Sequence, residues 1–175
     1  IIRDTYRLIG ESYKKAHEIN WNDEKVWKDI ISSPVGLFQF EGDFAFSMLK
    51  RFEPKSVFDI SLVNASIRPS GASYRDDLMA GKLHKNPSEE IDKLLAKNRG
   101  YLVYQEDVIL FLTEICGLSG SEADSIRRAI GNLDRETINR ALPRIIDGYY
   151  KKSGNPKDIA TQEVKEFIRI IEDAG

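Results

Sequence analysis

At 175 residues, 41% apolar and 31% charged, the chain has the balance of one soluble globular domain or one large piece of a bigger one. A net charge of −2 excludes an all-round basic glove, so any nucleic-acid face must be local. A single cysteine excludes an internal disulfide and fits a reducing cytoplasm; two isolated histidines leave no metal-ligand cluster, and no apolar run is long enough to span a membrane.

The chain opens in a helical pattern, with Tyr6, Ile9, Tyr13 and Ala16 on one face. A second helix is capped by Asn22 or Asp23, carries Val26, Trp27, Ile30 and Ile31 as its buried stripe, and is ended by Pro34. Gly36 to Phe40 is short, apolar and bounded by breakers, which predicts a tight extended segment or turn. Phe44, Ala45, Met48, Leu49 and Phe52 then mark a helix whose Met and Phe residues read as core, while Lys50 and Arg51 point elsewhere. Pro54 resets the chain before a short helix from Val57 to Ala65. In Arg68-Pro-Ser-Gly71 an arginine is held by a loop rather than a regular face, the placement of many binding residues.

The next stretch is polar. Tyr74 to Gly81 predicts a short helix, and Ser88 caps another that runs through Lys97. His84 reads as an exposed loop residue with no partner for acid–base work. After the Asn98-Arg-Gly100 turn, Val108, Leu112 and Ile115 recur at helical spacing, and Ile109, Leu110 and Phe111 widen the face until nearly the whole helix reads as buried. Cys116 closes it and Gly117 ends it. Ser119 with Glu122 is a capping-box signature; Ala123, Ile126 and Ile130 form one apolar face of the following helix, and Gly131 stops it.

Arg127 and Arg128 lie off that apolar face. Asp124, three and four residues earlier, has the spacing of ordinary intrahelical ion pairs, which describes a solvated face. A guanidinium fork also offers two parallel donors to phosphate oxygens, which describes an anion site. Composition does not choose between the two.

A long helix follows from about Asp134 to Lys152, with Ile138, Leu142, Ile145, Ile146 and Tyr149 on its apolar side and a kink expected at Pro143. Ser153 to Pro156 forms a turn. Thr161 is expected to cap the last helix, whose Val164, Phe167, Ile168 and Ile171 dock on the body. The whole predicts an all-α fold of about eight helices, with one or two short extended pieces, at Leu37–Phe40 and Leu102–Tyr104, as candidates to pair.

Four blocks occur in order: Gly36-Leu-Phe-Gln-Phe-Glu41, Asn64-Ala-Ser-Ile-Arg-Pro69, Tyr104-Gln-Glu106 and Ser121-Glu-Ala-Asp-Ser-Ile-Arg-Arg-Ala-Ile-Gly131. Together they resemble the fingers domain of bacterial family C replicative DNA polymerases, the alpha-subunit type of DNA polymerase III. The resemblance implies that residues 1–175 are a single fingers-domain fragment of a larger DNA-directed DNA polymerase, with a palm domain upstream of residue 1. It implies that Arg127 and Arg128 contact the triphosphate of an incoming dNTP, that Arg68 contacts DNA or nucleotide, and that Tyr104 and Gln105 shape the site, with a purely structural role for Tyr104 as the alternative.

Primer-template DNA, the remaining polymerase domains and, through them, a sliding clamp are the implied partners, with no membrane. No cofactor is expected in this fragment, because Mg2+ would sit on palm carboxylates, and the fragment alone is expected to be inactive. Two departures stand out. The family's usual Arg-Pro-Gly-Pro is here Arg68-Pro-Ser-Gly71, and its lysine run after Gly131 is here Asn132-Leu-Asp-Arg135. The alternative is a non-catalytic helical interaction module homologous to the fingers.

Overall fold

A computed structural model describes residues 1–174. Ten α-helices follow one another: α1 (Ile2–Ile9), α2 (Glu24–Ile30), α3 (Asp43–Phe52), α4 (Val57–Ser66), α5 (Arg75–Met79), α6 (Glu89–Leu94), α7 (Gln105–Leu110), α8 (Gly120–Gly131), α9 (Arg135–Ser153) and α10 (Lys157–Ala174). No strand occurs among the described residues, so the fold is all-α. The helices outnumber the expected eight, and neither candidate extended piece pairs. Leu37–Phe40 is a succession of turns, with the Leu37 N–H on the Pro34 carbonyl at 3.0 Å and the Phe40 N–H on the Leu37 carbonyl at 2.9 Å.

Side chains cap the starts of five of the helices. Asp23 caps α2, Ser56 caps α4, Ser88 caps α6 and Asp134 caps α9, each accepting a backbone N–H of the first turn. At α8 the expected capping box forms: the Ser119 hydroxyl accepts the Glu122 N–H, and the Glu122 carboxylate accepts the Ser119 N–H at 3.0 Å. The last helix departs from expectation. It begins at Lys157, because the turn through Pro156 runs directly into it, and the Thr161 hydroxyl donates to the Lys157 carbonyl from inside the helix. Pro143 lies within α9, which continues through it.

Two apolar cores result. The larger joins α6 to α10 through Leu95, Phe111, Leu112, Ile130, Ile145, Tyr149, Val164 and Phe167. The smaller joins α3, α4 and α5 through Leu49, Phe52, Leu62, Val63, Leu78 and Met79. Leu102 belongs to the larger core, while its neighbours Tyr101 and Val103 belong to the smaller. An extended backbone sends successive side chains to opposite sides, so this unpaired segment stitches the cores together. After α7 the helix widens into a π-turn over Phe111–Ile115, in which the Cys116 N–H reaches back five residues to the Phe111 carbonyl at 3.0 Å.

The first forty-four residues depart furthest from the sequence expectation. Gly10 takes a left-handed conformation (φ +74°) and ends α1, so the face shared by Tyr6, Ile9, Tyr13 and Ala16 is not a continuous helix. On α2 the expected buried stripe is only half-covered, and Val26 is 48% exposed. On α3, Phe44 is 52% exposed rather than core, with the Arg75 guanidinium 5.1 Å over its ring.

Candidate functional site

The site begins at the start of α7. Its third residue, Asp107, is 8% exposed, and its carboxylate accepts the Tyr104 N–H at 2.9 Å, the Val103 N–H at 3.3 Å and the Asn98 side-chain amide at 2.8 Å. Burial pushes the Asp107 pKa up, and those three donors oppose the rise. The backbone of Tyr104 is thereby fixed. Its phenol oxygen lies 3.1 Å from the Ser61 hydroxyl on α4, and its ring stands 6.5 Å from that of Phe58. Tyr104 therefore spans the two cores, and Gln105 beside it faces solvent.

Across from this turn, α8 presents the arginine pair. Its buried face is Ala123, Ile126, Ala129 and Ile130, which leaves Arg127 and Arg128 outward, as their spacing requires. Arg127 donates from Nε and Nη2 to Asp124 Oδ1, at 3.1 and 2.9 Å, and from Nη1 to Gln105 Oε1 at 3.1 Å. Arg128 donates from Nε to Asp124 Oδ2 at 2.9 Å, and its Nη2 pairs with the same oxygen at 2.9 Å. The Arg127 side chain is 21% exposed and that of Arg128 is 69% exposed. Hydrogen bonds from the two arginines, Arg127 first, hold the Asp124 carboxyl below the usual range. The intrahelical ion pairs expected from the spacing form, and Arg127 also reaches across to Gln105.

The loop after α4 supplies the third wall. Arg75 donates from Nε to the Ser66 carbonyl at 2.7 Å and from Nη2 to the Arg68 carbonyl at 2.9 Å, tying the loop to the helix end. A Cβ at Gly71 would meet the Ser66 carbonyl oxygen at 2.1 Å, so only glycine allows this approach. The loop so held places Ser70, not Arg68, on the cleft. Ser70, Leu102, Tyr104, Gln105, Val108, Arg127, Gly131 and Ile171 line a cleft of about 260 Å³.

Of the residues singled out from the sequence, Tyr104, Gln105 and Arg127 meet in this cleft, whereas Arg128 and Arg68 are exposed outside its lining. Sequence reasoning missed Ser61, Ser70, Asp107 and Ile171. Only Asp107 left a signal, as an acidic residue three positions after a helix start.

A larger groove of about 430 Å³ is lined by Cys116, Arg144, Asp147, Gly148 and Lys151, with no residue of the four blocks. Two of its cations are already paired, Arg144 with Glu122 at 3.2 Å and Lys151 with Asp147 at 2.7 Å. Among the described residues no three His, Cys, Asp or Glu side chains gather closely enough to hold a metal ion. No helix among the described residues is long and apolar enough to cross a membrane.

Comparison with known proteins bears on this cleft. The DNA polymerase III subunit alpha of Bacillus subtilis is 31% identical over 140 residues, covering 77% of this chain and 12% of its own length. That of Thermotoga maritima is 33% identical over 139 residues, covering 79% of this chain and 16% of its own. An error-prone DNA polymerase of Vibrio campbellii is 28% identical over 162 residues, 84% of this chain and 16% of its own length. The chain thus spans less than a fifth of these relatives. The sequence profile of the bacterial DNA polymerase III alpha subunit finger domain matches residues 1–153, the stretch that holds the arginine pair, the Tyr104 turn and the Ser70 loop. The chain belongs to that finger-domain family.

Proposed function

We propose that this chain is the part of a DNA-directed DNA polymerase that meets the triphosphate of an incoming deoxynucleotide and helps to hold the primer-template. The observation that carries the reading is the placement of Arg127. It is partly exposed, lines a cleft with Tyr104 and Gln105, and keeps one N–H on each terminal nitrogen free of the contacts to Asp124 and Gln105. Those two N–H groups form a fork that suits two phosphate oxygens. As pyrophosphate leaves, negative charge builds on the triphosphate, and a cation already in position lowers the barrier without reorganising. Arg128, more exposed, serves the outer oxygens or the DNA backbone beside them. Tyr104, fixed at both its backbone and its phenol, sets one wall of the cleft.

The reading assigns the divalent ions of the transfer reaction to palm carboxylates elsewhere in the parent chain. A sliding clamp would be reached through the other domains. The isolated chain is therefore expected to incorporate no nucleotide.

The test is single-nucleotide incorporation by the parent polymerase over a range of dNTP concentrations. Arg127→Ala should lower it by about thirty- to a thousandfold, the equivalent of roughly 2–4 kcal/mol for a lost preorganised donor. Arg127→Lys should recover only part, since an ammonium keeps the charge and loses the fork. Primer-template affinity without nucleotide should change little. The competing reading, a non-catalytic interaction module, is favoured by the neutralising contacts of both arginines with Asp124 and by the lysine-free Asn132–Arg135. An unchanged incorporation curve for the double Ala variant would decide for that module.

A further inference from the structure

One carboxylate organises both arginines. Asp124 Oδ1 takes two donors of Arg127, at 3.1 and 2.9 Å, and Oδ2 takes Nε of Arg128 at 2.9 Å. Arg127 is further pinned from α7 by Gln105 at 3.1 Å, so its guanidinium is held from two helices while Arg128 is held from one. A pair of exposed cations needs no such bracket merely to stay soluble. Adjacent like charges repel, and a single anion between them makes their close approach favourable. It also reduces the charge of the cluster from two positive units to one. If the cluster served only to attract anions, that reduction would be a loss.

We infer that Asp124 is a positioning residue of the nucleotide site, trading anion affinity for a fixed orientation of the Arg127 and Arg128 forks. The inference rests on the reading of Arg127 as a triphosphate contact. It gives the two kinetic quantities opposite signs. Replacing Asp124 with Asn returns a unit of positive charge to the cluster, which favours binding of a polyanion. The amide keeps one acceptor oxygen and turns an NH2 toward a guanidinium, so it cannot hold both forks. A guanidinium that must be oriented during the reaction contributes less to the transition state than one already in place.

The experiment is pre-steady-state incorporation by the parent polymerase carrying Asp124→Asn, Asp124→Glu or Arg127→Ala, with thermal unfolding of each. For Asp124→Asn the maximal rate should fall by about ten- to a hundredfold, the range that loss of a supporting partner costs at other preorganised sites. The dNTP concentration at half-saturation should stay level or decrease. Asp124→Glu should recover part of the rate, because it keeps two acceptor oxygens.

An Asn variant with unchanged maximal rate and tighter nucleotide binding would overturn the inference, since Asp124 would then be a counter-charge alone. So would a rate loss that comes with weaker binding and a lowered unfolding temperature, the mark of a purely structural role. If Arg127→Ala itself leaves the rate unchanged, the triphosphate reading fails first, and the Asp124 result is then not needed to reject it.

Discussion

Gly148 sets two well-measured effects against each other. It lies inside α9, where replacing glycine with alanine ordinarily stabilises a helix by about 1 kcal/mol. Here the added Cβ would stand 1.8 Å from the Cys116 carbonyl oxygen and 2.7 Å from its carbon, where an ordinary contact begins at 3.4 Å. The obstruction is backbone at the end of the π-turn and cannot rotate aside, so α9 must retreat by about 1.6 Å, the shortfall in that contact. The next residue, Tyr149, is fully buried, 2.6 Å from the Ser88 hydroxyl and donating to Glu163 at 2.9 Å, so the retreat disturbs those contacts too. Overpacking of this kind costs about 1–3 kcal/mol or more, and with a rigid obstruction the upper end applies.

Gly148→Ala is therefore expected to destabilise the chain by about 2 kcal/mol net, and to lower its unfolding temperature by about 4–8 °C. The assay is thermal and urea unfolding of the parent, Gly148→Ala and the control Gly120→Ala. At Gly120 a Cβ meets nothing within 4 Å. The control should stay within about 0.5 kcal/mol of the parent. A Gly148 variant as stable as the control would refute the claim that α9 sits directly on the Cys116 carbonyl.

Two further outcomes follow from the site. Asp107→Ala should destabilise by about 2–4 kcal/mol in denaturant unfolding, because it removes a helix cap and leaves the Asn98, Val103 and Tyr104 donors unpaired. Its pH dependence has a definite sign: the folded-state pKa is raised from the ordinary 3.8, so the contribution of the carboxyl is fully present below 3.8 and is lost as pH rises through the raised value. The stability margin of the parent over Asp107→Asn should narrow over that interval, and a margin that widens would contradict it. Duplex DNA should bind the isolated chain weakly, with affinity falling steeply with salt, since the net charge is −2 and most cations near the cleft are paired. A titration showing a tight complex at high salt would count against this surface.

The sequence was most informative where local chemistry decides the structure. Ser119 and Glu122 mark the start of α8 because both halves of their box lie within four residues, and Ser88 starts α6 as a single side-chain cap. Ile126 is buried and its arginine neighbours are not, because the helical period allows nothing else. What stayed illegible depends on partners distant in the chain. Arg68 looked like the functional member of its loop, but Arg75 clamps that loop by its carbonyls and turns Ser70 toward the cleft. Val26 and Phe44 carry apolar side chains at core spacing, yet both stay about half exposed, Phe44 with the Arg75 guanidinium over its ring. The π-turn at Phe111–Ile115 has no sequence signature: its residues would suit an α-helix, and it ends at Cys116, whose carbonyl lies against Gly148 of α9.

Beside the apolar Tyr101–Val103 segment that joins the two cores, polar groups define the cleft. Within each core the contacts are between apolar side chains, such as Phe111 with Phe167 in the larger, whose attraction does not depend on direction. Between the cores and across the cleft run the Tyr104–Ser61 contact at 3.1 Å and the Arg127–Gln105 bond at 3.1 Å, with Asp107 anchoring the turn that carries both Tyr104 and Gln105. Hydrogen bonds of this kind add little net stability but tolerate few geometries, so they set the width of a gap that apolar packing alone would close or leave undefined. A substitution inside either core should therefore appear first as lost stability. Ser61→Ala, at a solvent-exposed position, should leave stability nearly unchanged and act instead on the position of the Tyr104 ring at the cleft wall.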